Sequence, residues 1–144
     1  TYSANPLNLQ IELTESAVMG DEEMCSEVTA ALSEIGVSIA LDDFGTGYSS
    51  LSHIQRLKLD CIKIDRSFVV QLERDQQARA VINSLLALAR TLDLTVVAEG
   101  VDSITQLQWL TDAGCDIGQG FFWSPAVSAQ DFPVVMGKIN SEGG

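Results

Sequence analysis

Short runs of β-prone residues alternate along this chain with stretches of helical period, and that alternation points to repeated βα units built around a parallel sheet. Strands are expected at residues 9–14, 37–42, 61–65, 95–99 and 116–121. Between them apolar residues recur three or four apart: Met24, Val28, Leu32 and Ile35, then Leu51, Ile54 and Leu57, then Val81, Ile82, Leu85, Leu88 and Leu92. A fourth helix is expected to carry Ile104, Leu107 and Leu110 behind a capping box of Ser103 and Gln106. A fifth would carry Phe132, Val135, Met136 and Ile139 behind Ser128 and Asp131. Gly36 and Gly114 stand where helices should stop. A polar residue near the end of each strand (Glu12, Asp42, Lys63, Glu99, Gln119) recurs about every 27 residues, close to the unit of a (β/α)8 barrel. A closed barrel of that kind takes about 250 residues and eight strands, so five strands cannot close it. The expected fold is α/β, a partial TIM-like barrel of about five βα units with parallel strands. It forms one domain over residues 1–139, followed by a flexible tail over 140–144.

Charge narrows the function. Eight Lys and Arg against twenty Asp and Glu give a net −12, which repels a nucleic-acid backbone and excludes a DNA or RNA polymer as partner. A small phosphate-bearing ligand would need metal cations to offset the same charge. The three cysteines, Cys25, Cys61 and Cys115, are odd in number and far apart, the usage of a reducing compartment, so a cytoplasmic location is expected. The most apolar region, residues 85–101, is interrupted by Arg90, Asp93 and Glu99, so no membrane segment is expected; a longer parent protein could still be tethered to one. The chain opens at Thr1 without a basic and apolar leader, which predicts no signal peptide and hints at sequence removed upstream.

The strand-end polar residues carry the chemistry. In Ile62-Lys63-Ile64-Asp65 the alternation sets the isoleucines on one face and Lys63 with Asp65 on the other. A lysine facing the inside of a sheet is costly unless carboxylates surround it. Glu12 and Glu99 are equally anomalous among apolar neighbours. Each acid alone has an ordinary explanation as a cap or loop ion pair, but polar ends in five successive units favour a site at one rim, where barrel active sites lie. Asp42-Asp43 suits a hard cation with oxygen ligands, Mg²⁺ or Mn²⁺, although most such pairs are solvated turns. The Phe44-Gly45-Thr46-Gly47-Tyr48-Ser49 segment after it permits a tight loop over the site. His53, the sole histidine, excludes a His-rich zinc site and reads as a surface helix residue. The cysteines read as core or neutral positions, and Phe121-Phe122-Trp123 as packing with one aromatic near a ligand.

These motifs, in order, resemble the EAL-domain cyclic di-GMP phosphodiesterases of bacterial signalling. The resemblance rests on Glu12-Leu13-Thr14-Glu15-Ser16, on residues 42–51 from Asp42-Asp43-Phe44-Gly45 through Ser50-Leu51, and on Lys63-Ile64-Asp65. Val97-Ala98-Glu99-Gly100-Val101 and Gly118-Gln119-Gly120-Phe121-Phe122 complete it. It implies a modified barrel and hydrolysis of cyclic di-GMP to linear pGpG with two Mg²⁺ or Mn²⁺ ions. Glu12 and Asp42 would bind one cation and Asp43 would bridge to the second. Lys63 would hold the attacking water, Glu99 would support the second metal and proton movement, and Gln119 would lie at the same site. Glu15 would anchor the loop from Asp43 to Ser50, with Asp65 and Asp102 supporting from behind; Asp102 stands where the family usually has Glu. The Glu-Ala-Leu tripeptide that names the family occurs nowhere in the chain, nor does a strand supplying a metal-binding Asn. The resemblance therefore implies the C-terminal part of such a domain, an incomplete two-metal site and very low hydrolysis by this chain alone. A noncatalytic module that binds cyclic di-GMP or a partner protein is the alternative. Partners implied are cyclic di-GMP itself, a homodimer, or N-terminal sensor or GGDEF-type domains in a longer parent.

Overall fold

The computed structural model describes residues 9–44 and 51–120, with the backbone alone at 51–53. Five strands, β1 (Gln10–Thr14), β2 (Ser38–Phe44), β3 (Cys61–Ile64), β4 (Thr95–Glu99) and β5 (Ile117–Gln119), pair in parallel in the order of the chain. Among the described residues the helices are α1 (Glu15–Gly20), α2 (Glu22–Glu34), α3 (Leu51–Arg56), α4 (Arg66–Gln71), α5 (Gln76–Thr91) and α6 (Ile104–Ala113). This is the expected α/β architecture of parallel βα units.

Burial explains the strand sequences. Leu41, Ile62, Ile64, Val96 and Ala98 face the helices and share one core with Val69, Leu72, Ile82, Leu86 and Leu110. The opposite face carries the small residues Ala40, Cys61 and Val97 as a separate cluster. Both faces of β3 are covered, which is why it reads as an almost unbroken apolar run with only Lys63 out of place. The Asp60 and Asp116 carboxylates, just ahead of β3 and β5, accept the backbone N–H groups of Ile39 and Val96 at 2.8 Å and so tie each strand to the one before it.

Several boundaries differ from expectation for local reasons. β3 stops at Ile64 because Asp65 turns to cap α4, its carboxylate accepting the Ser67 N–H at 2.8 Å; Asp65 therefore does not continue the strand face that holds Lys63. β2 runs on to Phe44, and its register against β3 shifts between Leu41 and Phe44, where Asp43 takes a left-handed φ of 57°. α5 starts five residues before Val81, at Gln76, because Asp75 caps it. α1 and α4 were not anticipated, since α1 buries only Val18 among its apolar residues and the apolar residues of α4, Phe68, Val69 and Val70, are contiguous rather than helically spaced. α6 has the expected Ser103–Gln106 capping box and ends on Gly114 at φ 85°. Phe121 of the expected last strand, the helix expected around Phe132–Ile139 and the tail 140–144 lie outside the described residues.

Candidate active site

Parallel pairing in chain order collects the C-terminal strand ends at one rim, with Thr14 opposite Asp42, Ile64 opposite Ala98 and Glu99 opposite Gln119. Lys63 occupies the centre. Its Nζ lies 2.5 Å from a carboxylate oxygen of Glu12 and 2.5 Å from one of Glu99. The lysine side chain is only 7% exposed, against 43% for Glu12 and 23% for Glu99, so the acids reach down to it from the rim. Burial alone would lower the lysine's pKa. The hydrogen bonds and negative charge of Glu12 and Glu99 outweigh that and hold it above the ordinary lysine range, so the ammonium is charged at every physiological pH.

A second cluster adjoins it. Asp42, Asp43 and Glu99 each offer a carboxylate oxygen, all within 4.8 Å of one another and all half-buried. The Asp42 carboxylate accepts the Asp43 backbone N–H at 2.9 Å, which fixes the turn that aims both side chains. The charge of Asp42 pushes the Asp43 pKa up, helped by burial and by Asp65. Asp65, whose carboxylate lies beside that of Asp43, goes the other way, held below the usual carboxylate range by the hydroxyl and backbone N–H of Ser67. Three crowded oxygen donors of this kind could hold a hard metal cation, whose charge would relieve the crowding. Glu99 belongs to both clusters and joins the two aspartates to the lysine.

The remaining candidates fall in several places. Glu12 stands outside the Asp42–Asp43–Glu99 group, ion-paired with Lys63. Gln119 closes β5 and lines the same cavity of about 410 Å³ as Glu12 and Lys63. Glu15 is buried at the start of α1. Phe44 packs into the core as the last residue of β2, whereas Gly45, Thr46, Gly47, Tyr48 and Ser49 lie outside the described residues. Asp102 pairs with Arg66 at 3.0 Å. Cys61 is buried beneath Lys63, and burial pushes its thiol up to about 11, so it is neutral; Cys25 and Cys115 are half-buried free thiols. The His53 side chain and residues Phe121–Trp123 lie outside what is described. Arg66 and Ser67, which meet Asp102 and Asp65, were not among the expected site residues. The available signal was Asp65 itself, whose residue type at a strand end marks a helix cap.

Comparison with known proteins yields a consistent set. The EAL domain family matches residues 1–126. The bifunctional diguanylate cyclase/cyclic di-GMP phosphodiesterase MucR of Pseudomonas aeruginosa is 42% identical over 129 residues, covering 90% of this chain and 19% of MucR. The chain thus spans less than a fifth of that relative's length. The solved structure of the PaMucR phosphodiesterase in complex with c-di-GMP superposes with a TM-score of 0.86 at 42% identity, covering 90% of this chain and 53% of that one. The manganese/cyclic di-GMP complex of Klebsiella pneumoniae BlrP1 gives a TM-score of 0.78 at 35% identity, covering 85% of this chain and 31% of the other.

Proposed function

The chain belongs to the EAL domain family, and from that premise we propose that it carries the Glu12–Lys63–Glu99 side of a metal-dependent cyclic di-GMP phosphodiesterase site, with residues 1–139 forming the C-terminal part of the domain. The observation that carries this reading is Lys63, buried and permanently charged between Glu12 and Glu99, with Asp42 and Asp43 gathered around the same Glu99. Asp42, Asp43, Glu99 and Glu12 would hold two Mg²⁺ or Mn²⁺ ions. Bound there, such ions acidify water and offset the charge of a phosphodiester.

The chain's own residues do the rest. An ammonium has three donors, and two of the directions from Lys63 are taken by Glu12 and Glu99. The third can orient a water for attack on phosphorus. Glu99, linked to both the lysine and the aspartates, receives the proton that the water loses. As the new P–O bond forms, one ester P–O bond breaks, the departing ribose oxygen takes up a proton from solvent, and the cyclic dinucleotide opens to linear pGpG. Gln119, on the neighbouring strand, offers an amide to the ligand. Among the described residues no helix is long and apolar enough to cross a membrane. In a longer parent, sensor or GGDEF-type domains would couple to this one.

A noncatalytic cyclic di-GMP-binding role is the second reading, favoured by the position of Glu12, which is engaged by Lys63 rather than grouped with the aspartates. Calorimetric titration of cyclic di-GMP with Mn²⁺, alongside chromatographic detection of pGpG, separates the two. The phosphodiesterase reading expects Mn²⁺-dependent binding plus slow pGpG formation, detectable over long incubation with excess chain, that Lys63→Ala abolishes while binding persists. Binding without product in the unaltered chain selects the second reading. Absence of binding sinks both.

A further inference from the structure

We propose that Arg66 is a positioning residue that, through Gly100 and Asp102, holds Glu99 at cation-sharing distance from Asp43. The inference deepens the site reading above and rests on it. Asp65 and Arg66 are consecutive at the start of α4, yet they reach opposite ends of the carboxylate group. The Asp65 carboxylate lies beside that of Asp43. Arg66 reaches the segment that follows Glu99: its guanidinium donates to the Asp102 carboxylate at 3.0 Å, and its aliphatic stem lies against Gly100. The stem is so close that a Cβ on Gly100 would come within 2.2 Å of the Arg66 Cγ, and Gly100 also holds a φ of +72°. Glycine is required there on both counts.

The same segment is tied on its other side to α6 and β5. Asp102 N–H donates to the buried Gln106 side chain at 2.8 Å, and Val101 N–H donates to the Gln119 carbonyl at 3.0 Å. Those bonds do not connect it to β3 or to Asp43. Glu99 is itself held to β3 by strand pairing and by Lys63; Arg66 adds a tie from the segment after Glu99 to the start of α4 beside Asp65, so removing its stem and charge loosens that segment relative to the turn that places Asp43. The ion pair is partly exposed, 55% for the Arg66 side chain and 29% for Asp102, so its effect on global stability is small and its effect on the spacing of the acids is what matters. At 102 the chain has a carboxylate one methylene shorter than Glu, and the long Arg66 side chain spans the difference.

Mn²⁺ binding to the full chain, read by the loss of the free-ion electron paramagnetic resonance signal, tests this without any turnover. Arg66→Met and Asp102→Asn are each expected to weaken Mn²⁺ binding about 10-fold, the usual scale for groups that orient metal ligands. The double variant is expected to match the single ones, because both remove one link. Asp102→Glu should bind as the unaltered chain does, and melting midpoints in chelator should stay within about 2 °C. Asp102→Asn, nearly isosteric, keeps the test available if Arg66→Met fails to fold. Unchanged binding in Arg66→Met and Asp102→Asn, with Asp43→Asn strongly impaired, overturns the proposal and leaves the site reading standing; so does a double variant weakened about 100-fold. No Mn²⁺ binding by the unaltered chain, or equal binding by Asp43→Asn, overturns the site reading and the proposal together.

Discussion

Asp43 carries two local costs. Its φ of 57° is one that non-glycine residues avoid, although Asp and Asn tolerate it best. Its carboxyl also sits beside Asp42, whose charge raises its pKa. A carboxyl whose folded pKa lies above its unfolded value of about 3.9 favours the folded state below that pH and loses the contribution as pH rises through the folded pKa. Asp43→Asn keeps the backbone preference and removes the charge. In chelator at pH 7 the melting temperature should therefore rise by about 2 °C, and the gain should vanish below about pH 4. Mn²⁺ should stabilise the unaltered chain but not the variant. Calorimetric melts across pH check all three, and an Asp43→Asn chain that melts lower at pH 7 would contradict the charge argument. Lys63 was legible in the sequence because a charge interrupts an apolar strand. Its partners were not, since Glu12 lies 51 residues away and only pairing across the sheet brings it near.

At the scale of elements, the long helices and the short α3 announced themselves, whereas α1 and α4 did not. α5 buries Ala78, Ile82, Leu85, Leu86 and Ala89 on one stripe, the period visible in the sequence. α4 has no such stripe to display, and yet it places Asp65 and Arg66 behind the site. The end of α6 is set by Gly114, which combines φ 85° with close packing on the Arg90 guanidinium, itself donating to the Ala113 carbonyl at 2.6 Å. Gly114→Ala is expected to destabilise the chain by about 1–2 kcal/mol, from the left-handed backbone and from displacement of Arg90. Urea unfolding measures it. Arg90→Ala in the same background should recover part of the loss by clearing the contact, and no recovery would assign the whole effect to the backbone.

For the molecule as a whole, the described strands leave β1 and β5 paired on one side only. Apolar surface accompanies both edges: Ile117 is exposed on β5, and beside β1 a groove of about 160 Å³ runs between Ile11 and Leu13 and the α2 residues Met24, Val28 and Leu32. Unpaired edges with apolar borders favour self-association. The weight-average mass in sedimentation equilibrium is therefore expected to rise with concentration, and Ile117→Lys to reduce the rise; a concentration-independent monomer mass would show that these edges are covered. The order of βα units, the apolar faces of the strands and the polar residue at each strand end were determined by the sequence, because periodicity and residue type act within a few neighbours. Which acids meet was decided only by the tertiary structure. Glu12 goes to Lys63 while Glu99 joins Asp42 and Asp43, and Asp65 and Arg66 divide between the two ends of that group. The reason is geometric: strand register, a bulge at Asp43 and a one-turn helix start set distances of a few ångströms between residues far apart in the chain, and no local pattern encodes them.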